Sequence, residues 1–174
     1  MMKKDSICIQ YPSSRYPLNT IVQLSIELID SEEVIIKFVD ISENFIEENK
    51  VKFLAGIRFG IHYALDSIKK SFPATKAVRA IITKIPERLD VTNESVAYTS
   101  CMSIFKAFDF YPAHPPFVVV KNDRKYFIFP ETQKVPPMGR DTIENNDNEE
   151  YRAKRLANFI KIYKNIHELC CSEI

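Results

Sequence analysis

The sequence predicts an α+β protein: three strands, then helix–strand–helix, then a hairpin and a last helix. Three observations predict it. Residues 22–28 alternate apolar and polar with a period of two, which marks a half-buried strand. Apolar residues recur at three- and four-residue steps in three longer segments, which marks core-facing helices. The 174 residues are 45% hydrophobic and 27% charged, enough apolar material for one core and too much for a disordered chain.

The elements follow in order. Residues 6–11 read as a short strand, and 12–20, with Pro12, Pro17 and Asn19, as a loop. Residues 21–29 form a strand with Leu24, Ile26 and Leu28 on one face and Gln23, Ser25 and Glu27 on the other. Asp30-Ser31-Glu32 turns the chain into a strand at 33–39, and the two strands are expected to pair as a hairpin. A helix is expected at about 47–70, its stripe being Leu54, Ile57, Ile61, Leu65 and Ile68, with Arg58, His62, Lys69 and Lys70 solvated. Pro73 ends that segment, and 77–85 makes a strand that Pro86 stops. Thr92 or Asn93 caps a helix to about Phe108, lined by Ala97, Cys101, Ile104, Phe105 and Phe108. The proline-rich stretch 111–116 is a stiff connection. Residues 117–120 and 126–129 flank a hairpin connection at 121–125, and 130–140 is a loop. The final helix, about 149–170, carries a stripe of Leu156, Phe159, Ile160, Tyr163, Ile166 and Cys170. That stripe must be buried on the chain itself, on a partner or on a second copy.

Charge and motif content narrow the function classes. With 24 basic and 23 acidic residues the net charge is +1, which argues against a broad nucleic-acid-binding face but leaves room for a local patch. No run of apolar residues suits a membrane span, and the N-terminus lacks a signal-peptide pattern, so a cytoplasmic location is expected. Cys8, Cys101, Cys170 and Cys171 have no metal-ligand spacing. Free thiols are expected, with Cys101 buried, and no structural metal. His62, His114 and His167 each stand alone. Only Gly56, Gly60 and Gly139 occur, too few and too scattered for a phosphate-cradling loop. Gly56 and Gly60 lie four apart on one helix face, a spacing for close helix packing. No familiar catalytic signature is present, so neither an enzyme nor a bound cofactor is expected. Asp141, Glu144, Asp147, Glu149 and Glu150 make 141–150 acidic without a basic residue. That run suits either a solvated helix start or a surface for a basic partner.

Residues 20–108 resemble domain IV of translation elongation factor G and its ribosomal-protection relatives. The resemblance is carried by Ala55-Gly56-Ile57-Arg58-Phe59-Gly60-Ile61-His62-Tyr63-Ala64-Leu65 and by Val91-Thr92-Asn93-Glu94-Ser95-Val96-Ala97-Tyr98 through Ser103. Phe72-Pro73 and the strand at 77–85 fall between them at the family's spacing. It implies a ribosomal protein S5 domain 2-like fold: a mixed sheet with two helices on one face and a left-handed crossover, where physical reasoning alone defaults to a right-handed one. It also implies that residues 1–108 form the domain and 109–174 an extension packed on it.

In that family the domain's tip enters the ribosomal decoding region. The matching segments here are 13–20, which has no glycine, and 87–90, where Leu89 stands in place of a family histidine. Both tips are therefore altered, and with no phosphate loop there is no GTPase. The resemblance implies a non-catalytic protein that binds the ribosome, ribosomal RNA or a translation factor, through Arg15, Tyr16, Lys84 and Arg88. Arginine and tyrosine suit phosphate contact and base stacking. The alternative is a cytosolic immunity protein that occludes the basic active site of a toxic nuclease with the 141–150 carboxylates. A small-molecule kinase or nuclease subunit of the same superfold fits less well, because glycine loops and clustered carboxylates are lacking.

Overall fold

The computed structural model describes residues 2–9, 20–29, 31, 33–39, 43–73, 75, 77–84, 91–138 and 149–172. The elements are β1 (Met2–Ile9), β2 (Thr20–Leu28), β3 (Ile35–Phe38), α1 (Glu43–Ser71), β4 (Val78–Lys84), α2 (Asn93–Ala107), β5 (Phe117–Lys121), β6 (Arg124–Ile128) and α3 (Glu149–Cys171). The α+β class and the element order are as expected.

The period-two pattern of β2 does what it predicts at three of four positions. Val22, Leu24 and Ile26 are buried, whereas Leu28 at the strand's end is 47% exposed. The expected hairpin between 21–29 and 33–39 does not form. The sheet order is β1-β2-β4-β3, with β4 antiparallel to β2 and parallel to β3. The link between β2 and β3 lacks the Asn-Gly or glycine pair that favours a tight hairpin turn. Ile29 N instead donates to Ala77 O at 3.0 Å, just ahead of β4. β3 then pairs with β4 through α1, the long crossover that a parallel pair requires. β1 also starts earlier than expected, at Met2. Among the described residues it is an edge strand paired with β2 alone, so its Lys3-Lys4-Asp5 run does not have to lie between two strands.

The two helices start from the C-terminal ends of parallel strands and so run parallel to each other. Ile57, Ile61, Ala64 and Leu65 of α1 and Ala97, Cys101 and Ile104 of α2 share one core with Leu24, Ile26, Ala80 and Ile82. The contact is close. A Cβ on Gly56 would strike the Asn93 carbonyl oxygen, and one on Gly60 the Ala97 carbonyl oxygen. This is the packing the four-residue glycine spacing predicts. Thr92 caps α2, its Oγ1 accepting from Ser95 N at 3.3 Å.

The β5–β6 hairpin covers the helices on the side away from the sheet. Asn122 and Asp123, with φ of 51° and 57°, form a two-residue turn, shorter than the five-residue connection expected. Phe127 and Phe129 join the main core. The Phe129 ring meets Phe59 at 5.0 Å and Tyr63 at 4.9 Å, and Phe127 meets Tyr98 at 5.5 Å. The alternate residues Tyr126 and Ile128 face α3 and pack with Phe159, Tyr163 and Ile166. The apolar stripe of α3 is thus buried on the same chain. Two of its positions are less covered: Leu156 is 46% exposed and Ile160 half-buried. The layers run sheet, helix pair, hairpin, helix.

Candidate functional site

Strand register decides where the loops emerge. Ile9 pairs with Thr20, so 10–19 begins and ends at one end of the sheet. Lys84 pairs with Gln23 at that same end, and 85–90 leaves from it. A bulge precedes Lys84: the register shifts between Gln23 and Leu24, leaving Thr83 as the extra residue, with its hydroxyl 3.4 Å from Gln23 O. Bulges of this kind re-aim the residue at a strand's end. The N-terminus of α2 returns from 85–90, and Asn93 Nδ2 there donates to Met138 O at 3.3 Å. Met138 is the last described residue before 149. The described residues Ile9, Thr20, Lys84 and Met138, which flank three stretches of the sequence, therefore lie around one end of the sheet and the start of α2.

Of the residues singled out from the sequence, Arg15, Tyr16, Arg88, Asp141, Glu144 and Asp147 lie outside the described residues. Lys84 ends β4 and Glu149 opens α3. Glu150 is engaged locally: its Oε1 accepts from Lys154 Nζ at 2.6 Å, one turn on, with both side chains more than 70% exposed. Such a pair is worth at most about 0.5 kcal/mol.

Two grooves were not visible in the sequence. The larger, about 720 Å³, runs between α1 and the segment after β6. Arg58, His62 and Asp66 line it from α1, opposite Thr132 and Lys134. Lys70 Nζ closes one wall on Glu131 Oε2 at 2.7 Å. Tyr63 OH forms the floor and accepts from Glu131 N at 3.4 Å. The smaller groove, about 410 Å³, lies between β3 and α1, with Val34, Ile36, Phe38 and Leu54 beside Lys37 and Arg58. Sequence reading assigned Arg58, His62 and Lys70 to solvent. It had no local signal for the residues from 131–134 or from β3 that face them.

The titratable groups describe an unreactive interior. Burial pushes the Cys101 thiol well above its ordinary range, so it is no thiolate nucleophile. Burial likewise raises the Tyr63 and Tyr98 phenols, and it raises that of Tyr163 to about 12 despite the hydrogen bond from Phe129 N. Cys171 is raised by desolvation and by neighbouring Cys170. Among the described residues no three His, Cys, Asp or Glu side chains converge as a metal site, and no helix is long and apolar enough to cross a membrane. No protein-family model matches the chain, and no curated protein matches it.

Proposed function

We propose that the chain is a non-catalytic binding protein of the cytoplasm. In this reading residues 1–108 are a stand-alone relative of elongation factor G domain IV with the S5 domain 2-like fold, and 109–174 is an extension that braces it. Its partner is ribosomal RNA or a translation factor, reached through the loop-bearing end of the sheet. The observation that carries the reading is the register. Ile9 pairs with Thr20 and Gln23 with Lys84, so the described residues that flank 10–19, which holds Arg15 and Tyr16, and 85–90, which holds Arg88, lie at one end of the sheet. Arg15, Tyr16, Lys84 and Arg88 supply side chains suited to phosphate contact and stacking, with Glu87 and Asp90 beside Arg88 in sequence. The β-β-β-α-β-α order with β3 parallel to β4 also fits.

Co-sedimentation with ribosomes over a salt series tests it. Binding should weaken as salt rises. The double change Arg15→Ala with Arg88→Ala should weaken it further and lower the salt slope by about two, one per phosphate contact. Unchanged association in the double variant would remove the tip assignment.

The second reading, an inhibitor of a toxic nuclease, rests on the acidic composition of 141–150, which in sequence lies between Met138, bonded to Asn93, and the body of α3. Tight capture of one basic nuclease, abolished by neutralising Asp141, Glu144 and Asp147, would support it over the ribosomal reading.

A further inference from the structure

We propose that the larger groove, between α1 and the segment after β6, binds a small aromatic acid: a flat ring with a carboxylate or phosphate head at one end and a hydrogen-bond donor at the other. The site is independent of the loop-bearing end of the sheet and uses none of the residues proposed for the tip.

Helix periodicity builds the floor. Phe59, Tyr63 and Ser67 follow one another at four-residue steps on α1, so they form one row, and all three line the groove. The row is about 12 Å long, the length of a fused ring with a head group. A groove of about 720 Å³ also falls within the usual range for small-molecule sites. Phe59 is half-buried, and its ring is held against the Phe129 ring at 5.0 Å and nearly parallel to that of Tyr63. These fixed rings suit a flat partner. Tyr63 and Ser67 are more than nine-tenths buried, with exposures of 7% and 6%. Tyr63 OH accepts from Glu131 N at 3.4 Å, but its own proton meets no acceptor among the described residues. The Ser67 hydroxyl makes no hydrogen bond among them either. Polar groups held almost out of water are normally bonded, so two unspent hydroxyls in one groove point to a ligand that bonds them.

The walls set the ligand's polarity. Arg58 and His62 stand on α1 beside Phe59 and Tyr63. The chain after β6 runs back along α1: Glu131 meets Tyr63 and Lys70, whereas Met138 bonds Asn93, whose carbonyl lies against Gly56. Lys134 therefore comes toward the Arg58 end. Both cations are exposed, and neither is ion-paired among the described residues. At the opposite end Lys70 and Glu131 neutralise each other at 2.7 Å, which leaves Asp66, beside Ser67, as the unpaired carboxylate of the lining. An oxyanion head thus belongs between Arg58 and Lys134, within reach of the Tyr63 proton, and a donor belongs by Asp66 and Ser67. The ring lies between, over Phe59 and Tyr63. A hydrocarbon without polar ends would leave both hydroxyls unbonded, and a cationic head would meet Arg58 and Lys134.

Calorimetric titration of the full chain tests this. Hydroxynaphthoate should saturate the site with a Kd of about 0.1–1 mM, the range a ligand of that size reaches. Naphthoate, which lacks the hydroxyl, should bind about three- to tenfold more weakly. Naphthylmethylamine, a cation of similar shape, should bind at least about tenfold more weakly. Naphthyl phosphate against naphthoate distinguishes the head. Arg58→Gln with Lys134→Gln, both at exposed positions, should weaken hydroxynaphthoate about tenfold, and Ser67→Ala about three- to tenfold. Arg58 also borders the smaller groove, so Lys37→Gln is the control and should change nothing. Amide shifts should centre on residues 58–67 and 131–134. The proposal is overturned by absence of saturation at millimolar probe, by equal binding of the amine, or by shifts centred on 34–39. Parent-like affinity in both the Arg58/Lys134 and the Ser67 variants would overturn it as well.

Discussion

Gly60→Ala is the sharpest test of the helix pair, because two effects of opposite sign act at one atom. In an isolated helix the change stabilises by about 1 kcal/mol, since alanine loses less backbone freedom than glycine. Here the added Cβ would overlap the Ala97 carbonyl oxygen and lie 2.9 Å from Cys101 N. Both are backbone atoms of α2, so no side chain can rotate aside, and the helices must separate. Overpacking of this kind costs about 1–3 kcal/mol, and a rigid obstacle belongs at the upper end. The net expectation is a loss of about 2 kcal/mol, or roughly 4–8 °C in Tm for a chain of this size. Ala55→Gly is the control: Ala55 is exposed on the same helix, so it should lose only the propensity difference, about 1 kcal/mol. Urea unfolding followed by far-UV circular dichroism measures both. A Gly60→Ala protein more stable than the parent would mean that α1 and α2 do not approach this closely, and the packing described above would be wrong.

Two further outcomes are expected. Asp123 sits in the hairpin turn at φ 57°, a region that costs an L-residue up to about 1–2 kcal/mol, so Asp123→Gly should raise the unfolding midpoint by a fraction of that. A lowered midpoint would refute the turn geometry. At high pH the folded protein should weaken: Cys101 is held above an ordinary value of 9.0, and Tyr63, Tyr98 and Tyr163 above 10.0. The unfolded chain releases these protons first, so their contribution is complete below pH 9 and is lost as pH climbs past 9.0 and then 10.0. Tyr163, held at about 12, predicts that Tyr163→Phe flattens the decline between pH 10 and about 12. Urea midpoints over a pH series check this, and stability that stays level to pH 11 would contradict it.

What the sequence made legible was local. The Thr92 cap, the Gly56–Gly60 spacing and the stripe of β2 each report a contact within a few residues or a face with one allowed environment. Pairing was less legible. β2, β3 and β4 are all apolar enough to neighbour one another, and proximity in sequence favoured a β2–β3 hairpin. The register that forms instead is set by α1 returning the chain to the sheet. Both grooves escaped notice for the same reason, since Lys70 meets Glu131 across 61 residues and Arg58 meets β3 only after the crossover folds. The α3 stripe was visible but not its extent of burial. Five-residue strands span roughly 17 Å, against roughly 35 Å for a 23-residue helix, so Leu156 extends beyond the hairpin.

The composition of α2 carries the deeper lesson. Its run of asparagine, glutamate, serine and threonine reads as a helix with a wet side, yet twelve of its fifteen residues are buried. A helix enclosed by a sheet, a second helix and a hairpin needs small side chains more than apolar ones, because bulk on any side would push a layer away. Serine and threonine supply that size and bond within their own helix: Ser95 Oγ donates to Thr92 O at 2.8 Å and Thr99 Oγ1 to Ser95 O at 2.8 Å. Ser100 and Ser103 find no such partner among the described residues, a cost set against the closer fit. That closeness brings α1 against α2 backbone to backbone and holds the start of α2 beside the loop-bearing end of the sheet. Polarity in the middle of the chain thus marks a helix packed on every side, where size decides the residue more than polarity does.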